Sequence, residues 1–368
     1  MTRQVFTNAK LILDNEVIDG SLVIDNDQIM DLLEGRLAVS SAYDCGGAYI
    51  AAGLIELHTD NMERHIAPRP KVQWPMDQAV LAHDAELASC GITTVFDAIR
   101  IGSIYQNQAS KKTTARRFAD TILNLRENNI LKISHFTHLR AEICSNNLNK
   151  EFRIFNKCDR VGIVSIMDHT PGQRQWRDIE KWRSFTMARN SISNSSLNAH
   201  FKNLINIKSE YGIVNEQRII SEAARLGAVL ASHDDTTKEH VQVAANHGIR
   251  IAEFPTTFEA STSCRANNIA IMLGAPNFIR GSSHSGNVSA TVLAEKNLLD
   301  ILSSDYIPAA LLSAAVKLGD LWGDLARGLK TVTSAPAAAA GLKDRGALRK
   351  GLCADFIVFD RVGSNIVL

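Results

Sequence analysis

The stretch Ala51-Ala52-Gly53-Leu54-Ile55-Glu56-Leu57-His58-Thr59-Asp60 runs from an apolar segment into an imidazole and a carboxylate. Such a run reads as a strand entering a core, and in an extended strand residues i and i+2 face the same way. His58 and Asp60 are therefore expected to present two polar donors to one point beyond the strand. Alone, the pair fits a satisfied polar couple as well as a metal site. Repetition carries the reading of the fold. Comparable buried runs recur at 92–96, 133–139, 161–167, 228–232, 249–254, 269–273 and 299–303. Helix-forming stretches lie among them, including 76–88, 116–128, 215–226 and 306–317. Runs bounded by helices indicate βα units and a mainly parallel sheet. Eight runs match a closed (β/α)8 barrel. An open doubly wound sheet is the rival, weakened because no glycine-rich dinucleotide loop follows the first run.

The two ends read differently. Short apolar runs at 5–6, 9–13 and 20–24 alternate with Asp/Asn-rich turns, and a similar segment returns at 354–360. This pattern predicts one small sheet domain built from both termini. An isolated N-terminal hairpin and an unrelated C-terminal strand are the plainer alternative. The region from Gln173 to about Asn215 is polar, lacks a clear strand and reads as an inserted helical excursion. Excursions of that kind shape substrate pockets or simply elaborate the surface.

Composition narrows the classes of function. Among 368 residues, 40 basic side chains face 39 acidic ones, a net charge of +1. That balance gives no electrostatic reason to expect nucleic acid or an anionic membrane as partner. A hydrophobic share of 45% argues against extensive disorder. No apolar run reaches membrane-spanning length, and Met1-Thr2-Arg3-Gln4 leads straight into short alternating segments, so neither a span nor a signal peptide is expected. The cysteines at 45, 90, 144, 158, 264 and 353 are scattered without CxxC spacing. Reduced thiols in a cytoplasmic protein fit best. The chain also lacks the GxxxxGK[ST] loop of P-loop nucleotidases and the GxSxG elbow of serine hydrolases.

The chemistry gathers where the runs end. His58 and Asp60 follow the first run, Glu142 the third, His169 the fourth, His233 the fifth and Asp305 the eighth. A barrel collects active-site groups at that one mouth. Imidazoles and carboxylates suit Zn2+, Mn2+ or Fe2+. Six candidates exceed what a lone catalytic zinc uses, so two divalent ions are expected, with Glu142 bridging them at about 3.5–4 Å. Asp305 is expected to orient the water and manage its proton. Basic residues beyond the same ends suggest phosphate: Arg69, Lys71, Arg140, Arg174 with Gln173, and Arg280. Near Arg280, Gly281, Ser282, Ser283 and Gly286 add donors for an anion nest. Each arginine alone is more commonly a salt-bridge or surface residue.

The blocks GLIELHTDN at 53–61, PRPKVQWP at 68–75, MDHTPGQRQ at 167–175 and ASHDD at 231–235 are recognisable together. AEFPTTFEA at 252–260, MLGAPNFIRGSSHSGN at 272–287 and LLDILSSDYIPAALL at 298–312 extend the match over most of the chain. The chain resembles the amidohydrolase superfamily, and within it the hydrolases of phosphonate utilisation. The resemblance implies a metal-dependent-hydrolase (β/α)8 barrel over 51–341 and a small β-sandwich from 1–50 and 342–368. It implies a divalent metal centre, most simply two Zn2+, and water attack on the 5-triphosphate of a ribose 1-alkylphosphonate. It assigns metal roles to His58, Asp60, Glu142, His169, His233 and Asp305, and leaves His284 as a reserve ligand or phosphate contact. The superfamily's usual opening pair is His-x-His, whereas this chain has His58-Thr59-Asp60. Alternatives are an amidohydrolase of cyclic amides or nucleobases, using the same activated water, and a barrel scaffold without activity. A homo-oligomer is left open.

Overall fold

The computed structural model describes residues 3–102, 109–190, 193–283 and 286–368. Its strands are β1 (Arg3–Ile12), β2 (Val17–Asp25), β3 (Gln28–Glu34), β4 (Tyr43–Asp44) and β5 (Tyr49–Ala52) from the N-terminal part. Then come β6 (Leu54–Thr59), β7 (Ile92–Ile101), β8 (Ser134–Glu142), β9 (Val161–Met167) and β10 (Val229–His233). The remainder are β11 (Ile251–Glu253), β12 (Ala270–Gly274), β13 (Ile301–Ser303), β14 (Phe356–Val362) and β15 (Asn365–Val367).

Strands β6 to β13 form one eight-stranded sheet in sequential order, every pairing parallel. The eight strands coincide with the eight apolar runs of the sequence. A parallel bridge from Thr59 to Asp305 brings β6 back to the chain after β13, and Asp60 N–H donates to the Asp305 carbonyl at 3.0 Å. The sheet is a (β/α)8 barrel, not an open doubly wound layer.

Alternation along the strands sorts side chains to two cores. Ile55, Leu57, Phe96, Ile163, Ala231, Ile251, Met272 and Ile301 fill the barrel interior. Leu54, Val95, Leu139, Val164, Ala252, Ile271 and Leu302 face the opposite way, into the larger core. The barrel is therefore plugged by hydrocarbon below its polar mouth, as packed barrels are.

Both termini build the second sheet, in which β15, β14, β5, β1, β2 and β3 lie in that order and β4 pairs with β1. Because β14 pairs antiparallel with β5, the C-terminal segment lands beside the strand that leads into β6. Gly53 makes the passage from sheet to barrel. A Cβ there would meet Thr93 Oγ1 at 2.2 Å, so only glycine lets the chain through. The polar excursion after β9 forms helices Ile179–Asn190 and Asn194–Leu226. Ser193 caps the longer one at its start, and Gly227, at φ 74°, ends it. Among the described residues, no helix is long and apolar enough to cross a membrane.

Candidate metal centre and its cavity

Strand ends place the polar groups, and three of those ends bend sharply. Asp234 after β10, Phe254 after β11 and Asp305 after β13 adopt φ of 56°, 55° and 54°. Side chains other than glycine rarely occupy that region, and such residues cluster at functional sites. At the seam, Glu56 accepts from His58 N–H at 2.7 Å, Ser303 Oγ at 2.8 Å and Ser304 N–H at 2.5 Å. One buried carboxylate thus ties the first strand to the last beneath the mouth.

Three imidazoles share one arrangement. His58 Nδ1 lies 3.0 Å from Glu253 Oε2, His169 Nδ1 2.6 Å from Glu142 Oε2, and His233 Nδ1 2.7 Å from Asp234 Oδ2. A carboxylate on Nδ1 fixes the ring and leaves Nε2 as the free ligand atom, which is how metal-binding histidines are oriented. His233 Nε2 is buried without a hydrogen-bond partner. His58 Nε2 faces Asp60 Oδ1 at 4.0 Å. The His58 and His233 rings are 5.5 Å apart, and those of His169 and His233 6.1 Å.

Two sets of donors are each compact enough for an ion: His58, Asp60 and Asp305, and His58, His138 and Glu253. The first faces the cavity. In the second, His138 has both nitrogens engaged, Nδ1 by the Leu57 carbonyl at 2.8 Å and Nε2 by Ser165 Oγ at 3.0 Å.

The electrostatics fit a cation. Burial pushes His58 well below the usual imidazole range, with the charge of Arg140 adding to the effect. Burial also lowers His233 against the opposing pull of Asp234, and pushes His138 down to about 3. Neutral imidazole is the metal-binding form. Burial, then the nearby Asp60 charge, pushes the Asp305 carboxyl up to about 7. Crowded acids beside neutral imidazoles gain from a divalent ion between them.

A cavity of about 1130 Å³ opens over these groups. Its walls carry Trp176, Lys181 and Phe185 from the excursion, and Arg280, Ser282 and Ser283 from the chain after β12. Lys181 Nζ lies against Gly286, where an added Cβ would be 3.1 Å away. The excursion and the glycine-rich segment therefore meet across the mouth.

The residues singled out in the sequence fall into distinct places. His58, Asp60, His169, His233 and Asp305 line the cavity together with Arg140, Arg280 and Ser283. Glu142 joins neither compact donor set: Oε2 holds His169, while Oε1 accepts the Cys144 N–H at 3.0 Å. Arg140 donates to Asp60 Oδ1 at 2.5 Å. Arg174 donates to Asp235 Oδ1 at 2.6 Å and to the His233 carbonyl at 2.8 Å, and Gln173 donates to Asp168. Arg69 and Lys71 are exposed and absent from the cavity walls. His284 lies outside the described residues.

Sequence reading passed over Glu56, Arg100, His138 and Glu253. The alternation that paired His58 with Asp60 holds their signal. His138, Arg140 and Glu142 share one face of β8. Glu253 is a carboxylate closing an otherwise apolar run.

No family model matches the chain. It is 38% identical over 365 residues to an alpha-D-ribose 1-methylphosphonate 5-triphosphate diphosphatase of Escherichia coli (strain K12), covering 98% of this chain and 96% of that one. A 5-methylthioadenosine/S-adenosylhomocysteine deaminase of Bacillus cereus (strain G9842) is 22% identical over 390 residues, covering 97% and 85%. Among solved structures, an N-acetyl-D-glucosamine-6-phosphate deacetylase from Mycobacterium smegmatis superposes with a TM-score of 0.61 at 14% identity, covering 97% and 95%. At that identity the likeness concerns the fold alone.

Proposed function

The chain belongs to the family of the alpha-D-ribose 1-methylphosphonate 5-triphosphate diphosphatases, and on that premise we propose its reaction and the residues that perform it. It hydrolyses alpha-D-ribose 1-methylphosphonate 5-triphosphate to the 5-phosphate and diphosphate, a step of phosphonate breakdown. The observation that carries this reading is the trio of carboxylate-anchored imidazoles beside Asp60 and Asp305, in one cavity with Lys181, Arg280 and Ser283. Hydrolysis of a polyphosphate needs such a centre next to anion donors.

His58, Asp60 and Asp305 would hold one ion, and His169 and His233 are the imidazoles available to a second. Nitrogen and oxygen donors without thiolate suit Zn2+, with Mn2+ and Fe2+ as alternatives. When bound, the divalent ions supply Lewis acidity and a water made acidic enough to attack near neutral pH. Asp305, which lines the same cavity, takes the proton of the attacking water. The water oxygen bonds to the α-phosphorus, the bond from that phosphorus to the α–β bridging oxygen breaks, and diphosphate leaves with the electron pair. Arg280, Lys181 and Ser283 bind the departing phosphates. Glu253, Asp234 and Glu142 keep the rings aimed.

Zinc-loaded protein incubated with the ribose triphosphate tests the reading. Equal amounts of diphosphate and the 5-phosphate should appear in phosphorus NMR, and none after chelation. Orthophosphate as the first product, or an inert triphosphate, would overturn it.

A further inference from the structure

Two arginines stand side by side on neighbouring strands at the metal end of the cavity. Arg100 on β7 is the register partner of Arg140 on β8, and both line the cavity. They are treated differently. Arg140 is tied to Asp60. Arg100 is half-buried, its Nε is shut off from solvent without a hydrogen-bond partner, and no described residue forms an ion pair with its guanidinium. The carboxylates of Asp60, Glu63 and Glu142 are near enough to favour its charge, but none pairs with it.

A guanidinium drawn out of water beside a second guanidinium is costly unless an anion joins it. Its five donors lie in a planar fork that matches phosphoryl oxygens, and it stays charged in any ordinary environment. Strand alternation aims the side chain inward, because Phe96, four residues earlier on the same face, belongs to the interior cluster.

We propose that Arg100 is a catalytic residue that donates to a non-bridging oxygen of the phosphoryl group under attack, forming an anion subsite beside Asp60. The identity of that group rests on the hydrolase reading above; the anion subsite rests on the geometry of the two arginines. Negative charge on the transferred group spreads over its equatorial oxygens during displacement, so a preplaced guanidinium counts most in the transition state. Arg140, already tied to Asp60, cannot take over without loosening that carboxylate. Arg280 and Lys181 serve the distal phosphates, and Arg100 serves the reacting one.

The test compares wild type with Arg100→Met and Arg100→Ala, each zinc-loaded and assayed for bound metal. Arg100→Met should lower kcat by about 100-fold or more, with metal content unchanged. Guanidinium ion added to Arg100→Ala should restore part of the lost rate, a rescue that a merely structural role does not give. By calorimetry, inorganic phosphate, the simplest stand-in for the reacting group, should bind Arg100→Met more than about tenfold less tightly than wild type. Wild-type turnover and phosphate affinity in Arg100→Met overturn the proposal, as does loss of rate together with loss of metal, which would make Arg100 a support for Asp60. If wild type fails to cleave the ribose triphosphate but still binds inorganic phosphate through Arg100, the reaction assignment fails and the subsite stands.

Discussion

His135 and His138 stand three residues apart on β8 and face opposite sides of the barrel wall, and the histidines behind that wall and those lining the cavity are built on opposite plans. Behind the wall, His135 Nδ1 meets Asp97 Oδ2 at 2.7 Å and Nε2 meets Asp84 Oδ1 at 3.2 Å. His83 Nε2 meets Asp97 Oδ1 at 2.8 Å, and its Nδ1 lies 3.0 Å from Asn61 Nδ2. Every ring nitrogen there is engaged. Inside the mouth, His58, His169 and His233 are each anchored at Nδ1 alone. Burial is nearly the same in both places, yet the protonation differs. It pushes His58 and His233 down, whereas at His135 the charges and hydrogen bonds of Asp97 and Asp84 outweigh it and carry the ring up to about 9. A buried histidine is thus not in itself a sign of a site. The open nitrogen is.

The strongest way to break this contrast is His233→Ala. It deletes an open nitrogen and should cost at least about 10³-fold in diphosphate release, because metal stabilisation of the transition state is worth several kcal/mol. Elemental analysis of the folded fraction should show less bound metal. Retained activity with full metal content would remove His233 from the centre.

The mirror experiment is Asp97→Ala. It strands a buried, positively charged His135 and should destabilise the fold by about 3–5 kcal/mol in urea unfolding. Metal content of the folded fraction should be preserved. Parallel loss of metal and stability would mean the two histidine groups are not separate.

The same network sets a pH signature. Because the folded-state pKa of His135 is raised, its stabilising contribution is complete below about 6.5, the free imidazole value, and is lost as pH rises through about 9. Asp97 is depressed by its histidine partners, despite burial acting the other way. Its contribution is present above about 3.9 and lost as pH falls through its folded value. Unfolding free energy should therefore decline from about pH 6.5 toward 9 in wild type, and this decline should flatten in His135→Gln.

A smaller effect is expected for Glu142→Gln. The amide can still meet the His169 ring but loses the charge that orients it, a change that should weaken metal binding by about 10–100-fold. Zinc titration against a competing chelator measures it. Unchanged zinc affinity would show that the Glu142 charge does not help to hold the metal.

The barrel was legible because βα alternation leaves a periodic trace, and all eight strands fall on apolar runs. His58 and Asp60 were legible because an apolar run ended in two donors spaced two residues apart. Other parts depended on contacts distant in sequence. Glu253 closes a three-residue strand and reaches His58 across 195 positions. Arg174 reads as a phosphate ligand until Asp235, 61 residues away, is brought against it. Arg69 and Lys71 follow the first strand, but proximity in sequence does not bring them to the cavity wall. The left-handed bends at Asp234, Phe254 and Asp305 leave no mark in residue type that would separate them from ordinary strand ends.

The central claim, that a water activated in this mouth attacks the α-phosphorus of a ribose 5-triphosphate, is met most directly by one turnover experiment in oxygen-18 water followed by phosphorus NMR. The heavy oxygen should appear in the ribose 5-phosphate product, with diphosphate unlabelled, and Asp305→Asn should form neither product while remaining folded. Label in the diphosphate would place the attack on the β-phosphorus and contradict the account.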